Sequence, residues 1–178
     1  TVKDLVNTAG VRTTFGSHAF ADNVPKSDSI GIARLRDAGA VLIGKTTTPE
    51  FGHKPMTEAP LFGRTLNPWD LTRTSGGSSG GAGVAAATGI GPLHVGTDGG
   101  GSTRIPAAAC GVVGMKQTLG RVPHDMSSDS FGCMSFIGPI TRTVEDCGLM
   151  LDVMAGPHPS DVHSLGRYNS NFAGAARG

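Results

Sequence analysis

The chain has 178 residues, 38% of them hydrophobic, and a formal net charge of +1. That is the length of a single domain, with enough apolar residues to bury a core. The near-neutral charge gives no electrostatic reason for nucleic-acid or membrane-surface binding, and without a run of about 20 apolar residues no transmembrane helix is predicted. No secretory signal is visible.

Lys3-Asp4 leads into a turn-rich segment, residues 7–23. Ser27-Asp28 reads as a helix start, with Ile30, Ala33 and Leu35 as its apolar positions and an end near Gly39. Ala40-Val41-Leu42-Ile43 is predicted to be a short buried strand. A polar loop follows over residues 46–73, punctuated by Pro49, Pro55, Pro60 and Pro68 and carrying the single tryptophan, Trp69. Residues 82–89 read as a small-residue helix that can lie close to a sheet. Leu93-His94-Val95-Gly96 is a second short strand, a helix is expected after Pro106, and Val112-Val113-Gly114-Met115 is a third strand. The best-marked helix begins at Thr143: it is an N-cap with acids in the first turn behind it, apolar Leu149, Met150, Val153 and Met154, and a Gly156-Pro157 stop. Alternating short strands and helices predict an α/β fold. There is no internal repeat.

Glycine numbers 28 of 178, about twice its usual ~7% share. Two runs stand out, Gly76-Gly77-Ser78-Ser79-Gly80-Gly81 and Gly96-Thr97-Asp98-Gly99-Gly100-Gly101-Ser102-Thr103-Arg104-Ile105-Pro106. A serine set among glycines presents an exposed hydroxyl and lets a substrate approach the backbone closely. Neighbouring N–H groups can converge on one negative charge, which suits acyl transfer. Flexible linkers and phosphate-cradling turns share this composition. The apolar segments that follow both runs argue against linkers; tight turns stay open. A third glycine motif, Gly39-Ala40-Val41-Leu42-Ile43-Gly44-Lys45-Thr46, fits GxxxxGK[ST] letter for letter. Its middle residues are strand material rather than a phosphate-wrapping loop, and Thr46-Thr47-Thr48-Pro49 is a poor helix start, so ATP binding is not expected.

Cys110, Cys133 and Cys147 are three cysteines without a CxxC, which predicts reduced thiols in an intracellular, cytoplasmic protein, with Cys110 and Cys147 in the core. The six histidines are scattered without an HExxH pattern; neither a metal nor a cofactor is expected.

GGSSGGAG, then GTDGGGSTRIPAAACGVVG, with Lys3-Asp4 upstream, resembles the core of the amidase signature family. The likeness covers the chain from Thr1 to about Asp161, with three motifs in order at matching intervals. It implies a mixed central sheet between helical layers and cleavage of carboxamides by a Ser–cisSer–Lys triad. By resemblance Ser102 is the nucleophile, Ser78 the bridge and Lys3 the ultimate base. The Gly77–Ser78 peptide is then cis, and the N–H groups of Gly99, Gly100, Gly101 and Ser102 are the oxyanion-hole candidates. Ser79 is the rival relay; Ser78 is favoured by its interval to Ser102. Asp98 and Arg104 flank the loop as structural braces, either paired to each other or with Asp98 on loop N–H groups. Thr97 and Thr103 read as turn residues. The resemblance also makes residues 1–156 a core segment, and 157–178 a loop leading toward a C-terminal half found in longer relatives. The substrate is expected to be a small-molecule amide; a homo-oligomer is left open.

The sequence departs from the family at Gln117, where proline is usual, and at Gly99, where many relatives carry a larger residue. Two alternatives stand beside a stand-alone amidase. The first is the glutaminase subunit of a tRNA-dependent amidotransferase. It usually has Gln where Ile105 stands, and Ser-Leu-Asp-Gln where this chain has Met134-Ser135-Phe136-Ile137. The stretch 44–69, with Pro60-Leu61-Phe62-Gly63, also looks more like stand-alone amidases. The second is a non-catalytic binding protein on the same fold, against which the intact Lys3, Ser78 and Ser102 argue.

Overall fold

The computed structural model describes residues 1–125, 133–166 and 171–177. A five-stranded mixed sheet runs in the order β2-β1-β5-β7-β6. Its strands are β1 (Val2–Lys3), β2 (Lys45–Thr46), β5 (Leu93–Asp98), β6 (Val113–Gly114) and β7 (Phe136–Thr141), and a small antiparallel hairpin, β3 (Glu58–Ala59) and β4 (Gly63–Arg64), stands apart. β1 is parallel to both β2 and β5, while β7 is antiparallel to β5 and β6. The helices are α1 (Ile30–Asp37), α2 (Gly80–Ala87), α3 (Arg104–Cys110), α4 (Val144–Met154) and α5 (Phe172–Ala175).

Strand side chains alternate between faces, and two cores result. Val2, Val95 and Ile137 pack with Cys147, Met150, Leu151 and Met154 of α4 and with Ile32 of α1. Ile140, on the other face, packs with Ala82 and Ala86 of α2. α2 lies close because its residues are tiny: a Cβ on Gly81 would sit 2.5 Å from the Thr47 nitrogen. Lys3 follows Val2, so it points away from the first core and toward the α2 side.

α4 follows its sequence signal, with the Thr143 hydroxyl accepting from the Asp146 N–H at 3.0 Å. Other elements differ from expectation. Residues 40–43 are not a buried strand: Val41 is 84% and Ile43 58% exposed, and the strand begins only at Lys45. Lys45 donates to the Val6 carbonyl and to the Thr8 and Thr13 hydroxyls, which ties β2 to the loop after β1. α1 starts at Ile30, two residues beyond Asp28. α3 starts at Arg104 rather than after Pro106; proline is tolerated there because first-turn N–H groups have no helical acceptor. The 46–73 loop contains the β3–β4 hairpin. The 157–178 tail, part of which lies outside the described residues, carries the one-turn α5 packed on α4. β7 is absent from the sequence reading, and it contains Pro139. That residue's carbonyl accepts from the Met115 N–H, just past the end of β6. N–H and C=O of one residue point the same way in an antiparallel strand, so the missing donor falls where the neighbouring strand has stopped.

Among the described residues no helix is long and apolar enough to cross a membrane. Cys110 and Cys147 are buried and Cys133 is exposed, all as free thiols.

Candidate active site

β1 is only two residues long, yet it is paired on both sides, with β2 and β5, and this fixes Lys3 on an inner strand of the sheet. Its ammonium end is fully buried and reaches two hydroxyls, Ser78 Oγ at 2.6 Å and Thr97 Oγ1 at 2.8 Å. Burial pushes the Lys3 pKa well below the ordinary lysine value, while the nearby Asp98 charge works the other way. A lysine in this state can hold a neutral amine, able to take a proton from Ser78.

The Gly77–Ser78 peptide is cis, as the resemblance implies. Gly77 lies against the backbone of Met56, where a Cβ would come within 2.7 Å, so this turn admits no side chain. Ser78 and Ser79 point to different partners. Ser78 meets Lys3, whereas the Ser79 hydroxyl donates to the Thr97 carbonyl at 3.1 Å and accepts from the Thr97 N–H at 3.2 Å. The Ser79 N–H donates to the Ser102 carbonyl at 3.1 Å. Ser79 therefore stitches the two glycine loops together, and its hydroxyl is fully engaged in doing so.

Ser102 sits in the turn between β5 and α3, and its hydroxyl has no hydrogen-bond partner among the described residues. Asp98, at the end of β5, shapes this turn. Its carboxylate accepts from the N–H groups of Gly101 (2.8 Å), Thr103 (3.1 Å) and Arg104 (3.3 Å), and from the Arg104 guanidinium at 3.0 and 2.8 Å. Burial opposes the charge on Asp98, but the Arg104 guanidinium and these N–H groups outweigh it and hold the pKa below the usual carboxylate range. Both bracing roles read from the sequence are thus present together. The N–H of Gly101 is engaged by Asp98, unlike those of Gly99, Gly100 and Ser102, which have no partner among the described residues.

Ser78, Thr97, Gly99, Gly100 and Ser102 line one cleft of about 940 Å³. Its volume lies in the range of small-molecule sites, ~300–1,000 Å³. Lys3 is behind this wall, in contact with two of its residues, Ser78 and Thr97. Thr97 is the residue the sequence reading missed. It is a strand residue, not a turn residue, and it accepts a second hydrogen bond from Lys3. No local pattern in the sequence singles it out. Thr103, the N-cap of α3, makes no capping bond with its side chain. Gln117 is buried, and its side-chain amide donates to the Ile137 carbonyl of β7 at 2.8 Å, a bond the usual proline could not make.

The chain is 48% identical over its whole length to an acylamidase of Rhodococcus erythropolis. It is 44% identical over 99% of its length to the glutamyl-tRNA(Gln) amidotransferase A subunit of Roseiflexus sp. (strain RS-1). Among solved structures it resembles a bacterial aryl acylamidase of the amidase signature enzymes, with a TM-score of 0.90 and 37% identity over 98% of the chain. The chain spans 37% of the length of each of the two curated relatives and 36% of that solved chain. The family model for amidases matches residues 1–176, and on that match, over a mixed sheet with both glycine loops at the ends of its elements, the chain belongs to the amidase family.

Proposed function

We propose that the protein carrying this chain hydrolyses a carboxamide through an acyl-enzyme on Ser102. The observation that carries the reading is the buried Lys3 amine, hydrogen-bonded to Ser78 Oγ at 2.6 Å. Ser102 Oγ attacks the amide carbon, its proton passes to Ser78, and the Ser78 proton passes to Lys3. The negative charge that forms on the carbonyl oxygen is met by the N–H groups of the 99–102 loop, with Gly99, Gly100 and Ser102 the uncommitted donors. When the C–N bond breaks, the proton returns from Lys3 through Ser78 to the departing nitrogen. Water then attacks the ester, its proton takes the same route, and a carboxylic acid leaves with Ser102 restored. No metal or cofactor enters. The partner is a small-molecule amide, and the setting proposed is the cytoplasm.

The test is ammonia or amine release from a panel of simple amides, with Ser102→Ala as control and a serine-directed fluorophosphonate as label. Hydrolysis and labelling that survive in Ser102→Ala would overturn the assignment. A glutaminase role within an amidotransferase is the second reading, favoured by the 44% identity to a component of such an enzyme. Ile105 and the Phe136-Ile137 pair weigh against it. Release from glutamine alone, or only with partner subunits present, would select it.

A further inference from the structure

Lys45, the lysine of the GxxxxGK[ST] match, lies on β2 beside β1 and in register with Val2. Its side chain reaches the loop that follows β1. The ammonium donates to the Val6 carbonyl at 2.6 Å, to the Thr8 hydroxyl at 2.9 Å and to the Thr13 hydroxyl at 3.0 Å. Val6, Thr8 and Thr13 are themselves fully buried.

These three acceptors require the charged form. A lysine ammonium has three N–H donors and no acceptor. The Thr8 hydroxyl gives its own proton to the Val6 carbonyl at 3.2 Å, and the Thr13 hydroxyl gives its proton to the Val11 carbonyl at 3.1 Å. All three oxygens therefore face Lys45 as acceptors. A neutral amine has two N–H groups, so it would leave one oxygen unfilled and set its lone pair against it. Lys3 differs, because both its partners are hydroxyls, which can donate as well as accept. Two lysines on adjacent strands thus meet different demands. Burial pulls the Lys45 pKa down to about 8, against Asp4 just after β1 and Asp28 ahead of α1, which favour the charge. Asp28 in turn pairs with Arg36 of α1 at 3.3 Å. The ammonium is present at pH 7 and is lost in the mildly alkaline range.

The clamp acts on the turn that carries Lys3. Lys45 holds Val6 by its carbonyl, and the Val6 N–H donates to the Lys3 carbonyl at 3.0 Å. Asp4 ties the base of the same loop. Its carboxylate accepts from the Thr14 N–H at 3.0 Å and from the Thr14 hydroxyl, and its carbonyl accepts from the Phe15 N–H at 2.9 Å. We propose that Lys45 is a positioning residue for the amide hydrolysis, its ammonium clamping Val6, Thr8 and Thr13 so that the turn after β1 holds Lys3 on Ser78. Its effect on rate rests on the relay read above from Lys3 to Ser102; its hold on Lys3 does not.

The test measures kcat and KM of the full protein on an amide it hydrolyses, at pH 7 and pH 9.5, beside Lys45→Met and Lys45→Arg. Lys45→Met should lower kcat about 10²-fold at pH 7, the effect of a small misplacement of a catalytic group, with KM changed by less than about twofold. Lys45→Arg, which stays charged, should recover most of that loss. Wild-type kcat should fall between pH 7 and pH 9.5 as Lys45 loses its proton, and Lys45→Arg should lack that fall. A Lys45→Met kcat within about twofold of wild type overturns the positioning role. A fall of equal size in wild type and Lys45→Arg overturns it as well, and that comparison needs no folded Lys45→Met. Lysine-selective isotope labelling and NMR separate the clamp from the reaction. The Lys3 Cε resonance, assigned by its loss in Lys3→Met, should be displaced in Lys45→Met and regained in Lys45→Arg. That displacement in a protein that hydrolyses no amide upholds the hold of Lys45 on Lys3 and fails the relay. An undisplaced resonance in a protein that does hydrolyse amides removes the clamp and leaves the relay standing.

Discussion

Replacing Lys3 by methionine removes the amine but keeps an unbranched apolar chain in the same buried place. Two hydrogen bonds go, those to Ser78 and Thr97. A positioned general base contributes about 10²–10⁴-fold to rate, so kcat/KM on an amide should fall by that factor, about 2.7–5.4 kcal/mol of transition-state stabilisation at 1.36 kcal/mol per decade. Stability moves for two opposed reasons. The buried hydroxyls of Ser78 and Thr97 each lose a partner, at about 1–3 kcal/mol if left unsatisfied, while the buried amine no longer has to be desolvated. The pH dependence separates the two effects. The folded-state pKa of Lys3 is depressed from an unfolded value of about 10.4. Between these values the unfolded chain holds a proton that the folded chain lacks, so stability rises with pH across the window, is fully present above the unfolded value, and is lost as pH falls through the folded one. Lys3→Met lacks this rise. The stability of wild type minus variant, from urea unfolding at pH 7 and pH 9.5, should therefore be larger at the higher pH. Amide hydrolysis within about tenfold of wild type, or a stability difference that shrinks with pH, would refute the reasoning.

Three further outcomes follow from the same contacts. Thr97→Val takes away an acceptor that favours the charged form of Lys3, so the acid limb of the kcat/KM profile should move to lower pH; a limb that stays or moves up removes Thr97 from the site. Gly81→Ala gains about 1 kcal/mol of helix propensity but drives a Cβ to 2.5 Å from the Thr47 nitrogen. Overpacking of roughly 1–3 kcal/mol should win, lowering the urea midpoint. Burial pushes the Cys110 and Cys147 thiols up to about 11, so a thiol reagent at pH 7.5 should titrate one cysteine, the exposed Cys133, in the native chain and three in denaturant.

Chemistry written in consecutive residues was legible in the sequence. The two glycine–serine runs, the Asp98–Arg104 brace and the Thr143 cap of α4 rest on neighbours a few positions apart. Their physics is local: backbone angles, turn hydrogen bonds and a first-turn N–H. The α/β class also followed, since strands and helices alternate along the chain.

What the sequence by itself could not determine depends on which surfaces meet. Residues 40–43 are as apolar as any strand, yet Val41 and Ile43 are exposed and only Leu42 packs against the first core. Pro139 argues against a strand in isolation and is harmless where β6 has ended. The Lys3–Ser78 and Lys3–Thr97 bonds join residues 75 and 94 positions apart. Only the resemblance linked the first pair, and nothing in the sequence linked the second. The tertiary structure decided these, because a buried amine takes its character from the side chains folded around it, and no local pattern in the chain records who those neighbours are.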